Sequence, residues 1–214
     1  ALLSRVKATG NVSATMNGDD PVADEFQAYA GGIVAVQQGG SVTNAFASGN
    51  ASASVNGAKP SYAGGVVGTF DDETSDLSLT NVFASGSVNA TSITAVKAYA
   101  GGILGRYEDK GFGHVIVVSN VLSSSAVEAH TPTSTKAYSG TIVGDFNLTN
   151  STFSNGYFAG TATFTGKSNG TLAITGATQT TLDVITVATL GWDAEILTIE
   201  TGVVSLSIPA VLPE

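Results

Sequence analysis

One tetrapeptide, Tyr-Ala-Gly-Gly, stands at Tyr29–Gly32, Tyr62–Gly65 and Tyr99–Gly102, and returns in altered form as Tyr138-Ser139-Gly140-Thr141. A second segment runs in step with it: Thr43-Asn44-Ala45-Phe46-Ala47-Ser48-Gly49, Thr80-Asn81-Val82-Phe83-Ala84-Ser85-Gly86, Ser119-Asn120-Val121-Leu122 and Ser154-Asn155-Gly156-Tyr157. A chain that repeats at this period stacks like units on one another, and each unit buries its apolar face only against its neighbours. The two anchors separate fixed from variable parts. From Asn to the next Tyr the step is 18 residues at 44–62, 81–99 and 120–138, whereas from Tyr to the next Asn it is 15, 19, 21 and 17. One half of each unit is therefore held to length, and the other contains a corner that accepts insertions. Val6–Ala14 aligns with Ala45–Ala53 as an opening partial copy, with Arg5 at the asparagine position.

Within a unit, Tyr99, Gly101, Ile103 and Gly105 alternate with Ala100, Gly102 and Leu104, which is the period of a strand. A second strand is expected at Asn81–Ser85 and a third at Ser87–Ala90, so three strands with short Gly, Asn and Ser corners make one turn. The prediction is an all-β protein, a right-handed parallel β-helix (β-solenoid) of about five coils over residues 1–166. Residues 167–214, where the repeat dissolves, form a C-terminal β cap or a small appended β region of the same unit. Equivalent strands about 4.8 Å apart place like over like. Tyr29, Tyr62, Tyr99 and Tyr138 then form one row, Phe46, Phe83, Leu122 and Tyr157 another, and Asn44, Asn81, Asn120 and Asn155 an amide ladder, each side chain donating to one coil and accepting from the other. The abundant Ala and Gly suit a narrow interior.

Composition excludes several functions. Seventeen acids against 8 bases give a net charge of −9, which repels a nucleic acid backbone. With no cysteine there is no disulfide, thiolate metal site or cysteine nucleophile. No run of 18 apolar residues exists, so no membrane insertion is expected. Ala1-Leu2-Leu3-Ser4 lacks the features of a signal peptide, and the chain is read as part of a longer protein whose export signal lies elsewhere. Sequons at Asn11, Asn50, Asn89, Asn147, Asn150 and Asn169 are expected by chance in a chain this rich in Asn, Ser and Thr.

Units of the form Tyr-Ala-Gly-Gly-Ile-Val-Gly followed by Thr-Asn-Val-Phe-Ala-Ser-Gly-Ser-Val resemble the GLUG-type repeats of bacterial cell-surface, adhesin-like proteins, over about residues 5–165. Leu190-Gly191-Trp192-Asp193, with Ile199, Gly202 and Pro209-Ala210-Val211-Leu212, is similar to the segment that often closes such arrays. Ala35 departs from the pattern where Gly68, Gly105 and Gly144 conform, as does Thr141 in the fourth copy. The resemblance implies an extracellular or cell-surface-attached module: an adhesin, or the repeat region of a surface protease. Its partner would be a carbohydrate or a protein on a cell or host surface.

Chemistry-bearing residues are few. His114 and His130 lie half a coil apart with no carboxylate at ligand spacing. Gly64-Gly65-Val66-Val67-Gly68 has no Gly-Lys-Ser/Thr and is strand packing rather than a phosphate cradle. Charge gathers at the variable corner, in Asp71-Asp72-Glu73-Thr74-Ser75-Asp76, in Tyr107-Glu108-Asp109-Lys110-Gly111-Phe112-Gly113-His114 and in Asp145-Phe146-Asn147. Stacked coils would align these as an acidic, partly aromatic ridge, with Asp71, Asp72, Asp76, Tyr107, Glu108, Asp109 and Phe112 as candidate ligand contacts. Sugars pack on aromatic faces such as Tyr107 and Phe112. No cofactor is implied, and Ca²⁺ is the one ion such loops would suit. A second acidic loop, Asp19–Glu25, is expected to cover the opening coil. The chain is read as a non-catalytic binding or spacer module. The alternative is a polysaccharide-degrading β-helix, for which Arg106 and Lys110 beside Glu108 and Asp109 are the candidate groups. An ice-binding face would need more than the single row Thr161, Thr163 and Thr165.

Overall fold

The structure, a computed structural model, describes residues 2–17, 27–57, 59–71, 75–93, 97–108, 110–132, 136–146, 151–165, 167–168, 177–180, 185–192, 197–200 and 203–206. The Asp19–Glu25 loop lies outside them. Each turn contributes four strands, not three. The first turn is β1 (Leu2–Ala8), β2 (Val12–Asn17), β3 (Ala28–Gly31) and β4 (Val34–Gln37), and the second β5 (Gly40–Ala47), β6 (Ala51–Asn56), β7 (Ser61–Gly64) and β8 (Val67–Asp71). Next come β9 (Leu77–Ala84), β10 (Ser87–Ser92), β11 (Lys97–Gly101) and β12 (Leu104–Glu108), then β13 (Ile116–Ser123), β14 (Ala126–His130), β15 (Lys136–Gly140) and β16 (Val143–Phe146). A partial turn, β17 (Ser151–Phe158), β18 (Thr161–Thr165) and β19 (Lys167–Ser168), is followed by β20 (Ala177–Gln179).

Equivalent strands pair in parallel. The asparagine sheet runs β1-β5-β9-β13-β17-β20, a second sheet β2-β6-β10-β14-β18, the tyrosine sheet β3-β7-β11-β15-β19 and the fourth β4-β8-β12-β16. This is a β-solenoid of about four turns, one fewer than expected. The register sets Tyr62 against both Tyr29 and Tyr99, and Tyr99 against Tyr138. Their rings stack at 4.9, 5.1 and 4.7 Å between centroids.

The interior has a wide and a narrow half. Between the asparagine sheet and the fourth sheet lie Leu77, Leu79, Ile103, Leu104, Ile116 and Ile142. Each such side chain contributes about 1.5–3 kcal/mol by leaving water. Between the second and tyrosine sheets the core is Ala53, Ala63, Ala90, Ala100, Ala129 and their neighbours, with a few valines. Alanine is the residue that fits where two sheets approach this closely.

The glycine motif follows from the same close approach. A Cβ on Gly64 would overlap the Val67 carbonyl oxygen of its own tight turn, and Gly31, Gly101 and Gly140 are placed alike. A Cβ on Gly32, Gly65 or Gly102 would strike a carbonyl of the following turn. The fourth member of that row is Thr141, whose own carbonyl is the one Gly102 meets. A Cβ on Gly68, Gly105 or Gly144 would strike carbonyls of the preceding turn, and the first member of that row is Ala35, in the first strand of its sheet. Thr141 and Ala35 thus each face one described neighbouring turn through their own carbonyls, that of Gly102 and that of Gly68.

Asn44, Asn81, Asn120 and Asn155 all have φ between 49 and 57°, as does Arg5 at 57°. The strand register skips them, and the chain bends there. Asn is the non-glycine residue that tolerates this left-handed conformation best. Each Nδ2 donates to the Oδ1 of the preceding turn at 3.0 Å: Asn81 to Asn44, Asn120 to Asn81, Asn155 to Asn120. A second amide series was not foreseen. Asn11 Oδ1 accepts from the Asn50 backbone N–H and Asn50 Oδ1 from that of Ser87, both at 2.9 Å, so two sequon side chains are engaged between turns.

Within residues 167–214, β19 and β20 extend the tyrosine and asparagine sheets, and a further described part lies to one side. The helix α1 (Val187–Leu190) and the antiparallel pair β21 (Leu197–Glu200) and β22 (Val203–Leu206) lie along the flank of the asparagine sheet. Thr186 caps the helix start and Gly191, at φ 67°, ends it. Ile185, Leu190, Trp192 and Val204 cover the outward row Phe46, Phe83 and Leu122. The Trp192 indole N–H donates to the Asn120 carbonyl at 2.7 Å, a group the bend leaves outside the ladder.

Two outcomes test these contacts. Asn81→Ala removes two ladder bonds, about 1 kcal/mol each, and places at positive φ a residue that tolerates it less well than asparagine does. The Tm falls, and Asn81→Gly recovers only the backbone part; equal Tm for all three proteins contradicts the ladder. Trp192→Ala is expected to speed amide exchange in α1, β21 and β22 while β9 and β13 stay protected. Loss of protection throughout would show that the flanking segment belongs to the solenoid core.

Candidate functional site

Along β7, Ala63 enters the narrow core, so the alternating Tyr62 faces outward. Seven residues after each tyrosine comes a residue of the fourth sheet: Val36, Thr69, Arg106 and Asp145, which register as one row. This row borders the tyrosines. Arg106 Cζ is 4.6 Å from the Tyr99 ring centroid and 6.0 Å from that of Tyr62, and Arg106 Nε is 3.4 Å from Asp145 Oδ2 one turn on. A guanidinium beside aromatic rings gains from both contacts.

Toward the first turn the row shortens to Thr69 and Val36, and a cleft of ≈ 220 Å³ opens, lined by Tyr29, Tyr62, Thr69, Asp71, Arg106 and Lys110. Lys110 Nζ is 2.8 Å from Asp71 Oδ1 and forms one wall. The Tyr29 hydroxyl donates to Gln27 Oε1 at 2.8 Å. Thr69 Oγ1 is held by the Arg106 carbonyl at 3.2 Å. Burial, reinforced by the fields of Tyr62 and Asp71, pushes the Tyr29 phenol up to about 12. Burial raises Tyr99 further, against the Arg106 charge, which acts to lower it. These phenols stay protonated donors throughout ordinary pH.

Of the residues expected to form one ridge, Asp71 and Glu108 are in register on neighbouring turns. Asp71 lines the cleft. Asp76 is 73% exposed; its Oδ1 accepts from the Val115 backbone N–H at 2.8 Å and lies 3.8 Å from His114 Nδ1, an arrangement that orders a corner. Phe112 is 57% exposed at a loop tip between Gly111 and Gly113, both at positive φ. Tyr107 corrects the sequence reading. Its ring is 1% exposed, in register with Phe70 and Phe146, and packs in the wide core, so it offers no face to a sugar. Asp72 and Asp109 lie outside the described residues, as does the side chain of Glu108. Among the described residues no three His, Asp or Glu side chains come together. The tyrosine ladder also differs from a flat sugar platform, because Tyr62 and Tyr99 are stacked on both faces. Among the described rings Tyr29 stacks on Tyr62 alone.

Gln27 and Thr69 were not anticipated. The constant step of seven from Tyr to the fourth-sheet row was the signal that would have found Thr69.

No family model and no curated protein matches the chain. A solved structure of a candidate immunoglobulin A1 protease from Bacteroides ovatus is similar in fold, with a TM-score of 0.60 at 18% identity. The match covers 94% of this chain and 56% of that one, so this chain spans little more than half of its length.

The raised phenols set a pH dependence. An unfolded tyrosine ionises near pH 10, whereas Tyr29 in the fold holds its proton to about 12. Between those values the unfolded chain binds fewer protons, so stability present below pH 10 is lost as pH rises toward 12. Tm measured from pH 9 to 12 is expected to fall more steeply for the native protein than for Tyr29→Phe. Parallel curves would contradict the shift.

Proposed function

We propose that this chain is a non-catalytic binding or spacer module of a larger secreted bacterial protein, displayed at the cell surface and recognising a glycan or a partner surface. The observation that carries this reading is that the two cations best placed for catalysis are held by acids of other turns, Arg106 by Asp145 and Lys110 by Asp71. A lyase or glycosidase needs a base or acid able to reach a sugar proton. Here the charges brace one wall of a small aromatic-edged cleft, which suits recognition. The GLUG-type resemblance of the repeat supports the same placement. No helix among the described residues is long and apolar enough to cross a membrane.

A second reading, the repeat region of a surface protease, is favoured by the Bacteroides ovatus structure, whose length exceeds that of this chain. In that reading proteolysis belongs to other parts of the protein, and this chain leaves immunoglobulin A1 uncut.

A glycan array followed by a reducing-sugar assay on each hit tests the proposal. Binding without new reducing ends is the expected result. Release of product overturns the non-catalytic assignment, and cleavage of immunoglobulin A1 by the isolated chain overturns the second reading.

A further inference from the structure

The cleft beside Tyr29 has a chemistry more specific than an aromatic groove. We infer that it takes a carboxylated sugar, a hexuronate ring, with the carboxylate toward Arg106 and Lys110 and the hydroxyls toward Asp71, Gln27 and Thr69. The inference rests on the binding-module reading and deepens it.

The chain has only 8 Lys and Arg residues against 17 acids, yet two of them, Arg106 and Lys110, line this one cleft. Their neighbours add the Tyr62 phenol and the Gln27 amide, whose Oε1 already accepts the Tyr29 proton and whose Nε2 is the donor it brings to the cleft. A site rich in donors and holding a planar guanidinium matches a carboxylate. Asp71, by contrast, accepts only, and its side chain is 20% exposed. Its Oδ1 is held by Lys110 at 2.8 Å, and a sugar hydroxyl can add to that acceptor. A simple carboxylate would meet the cations without the Gln27 and Thr69 groups, while a neutral sugar would do the reverse. A ring carrying both groups engages the whole lining.

Size and shape agree. The ≈ 220 Å³ opening admits one pyranose ring rather than a chain. It exists because Val36 and Thr69 stand where the next turn has Arg106, which itself lies against Tyr99. Tyr29 and Tyr62, stacked on each other, border the opening and give it an aromatic side.

The test is titration calorimetry at low salt with the chain as it stands. Probes are glucuronate and galacturonate, with glucose and galactose as neutral counterparts, acetate as a charge without a ring, and sialyllactose as a bulkier acidic sugar. At least one hexuronate is expected to bind tenfold or more tighter than its neutral counterpart and than acetate, shifting the amide signals of Tyr29, Tyr62 and Thr69. Lys110→Met, on a side chain 37% exposed, is expected to keep the native Tm and lose about tenfold in hexuronate affinity while neutral sugars are unaffected. Equal affinity for acidic and neutral rings, unchanged affinity in Lys110→Met, or preference for sialyllactose overturns the assignment. If the array yields glycan ligands but no hexuronate binds, this inference fails and the binding module stands. If a hexuronate polymer binds at the cleft and is cleaved, the cleft assignment stands and the non-catalytic reading fails.

Discussion

Backbone meets backbone between successive turns with no room for a side-chain carbon, and most of this molecule follows from that constraint. Gly65 lies against the Gly102 carbonyl and Gly105 against those of Gly68 and Ala63. Once turns are locked at this spacing, every residue has an equivalent directly above and below it. Like must then tolerate like. Tyrosine does so by stacking, which adds about 0.5–1.5 kcal/mol per ring pair beyond burial, and asparagine by donating one way and accepting the other. A row of lysines or aspartates in the same place would repel along its whole length. The lysine row the chain does have, Lys97, Lys136 and Lys167, stands at the start of its strands, where Lys97 and Lys136 lie two positions before the tyrosines.

The same constraint reaches the positions where the repeat changes. Thr141 and Ala35 read as decay of the motif, yet both keep the close approach to one neighbouring turn: Gly102 meets the Thr141 carbonyl and Gly68 the Ala35 carbonyl. Arg5 is comparable. It takes the left-handed conformation of the ladder asparagines, φ 57°, but a guanidinium has no acceptor to offer Asn44 Nδ2, so among the described residues the amide ladder starts at Asn44.

Register was legible in the sequence because fixed spacing is a direct record of stacking: an 18-residue step between Asn and Tyr leaves one alignment of turns. The fourth strand was hidden because the Gly-Gly turn falls inside what reads as unbroken alternation, Tyr99, Gly101, Ile103, Gly105, and only the overlap of a Gly101 Cβ with the Leu104 carbonyl reveals a corner. Tyr107 was misplaced because Glu108, Asp109 and Lys110 follow it, and charge suggested a loop. Its register with Phe70 and Phe146, each eight residues after a tyrosine, was the better guide to burial. The flanking segment was beyond reach of pattern: Trp192 bonds Asn120 across 72 residues, a contact that no periodicity encodes.

In a molecule whose inward and corner positions are dictated by stacking, specificity can reside only where neighbouring turns are free to differ. The outward row of the fourth sheet is such a place. Val36, Thr69, Arg106 and Asp145 share one register position and no chemistry, while the tyrosine row beside them is invariant through four turns. Identical residues there would have filled the groove evenly or left it open throughout. The sequence instead opens it beside Tyr29, closes it with Arg106 beside Tyr99, and anchors that closure on Asp145. A cleft formed by substitution within a repeat inherits the rigidity of the ladder behind it, so its polar groups are held in place before a ligand arrives, which is the condition for selective recognition by few contacts.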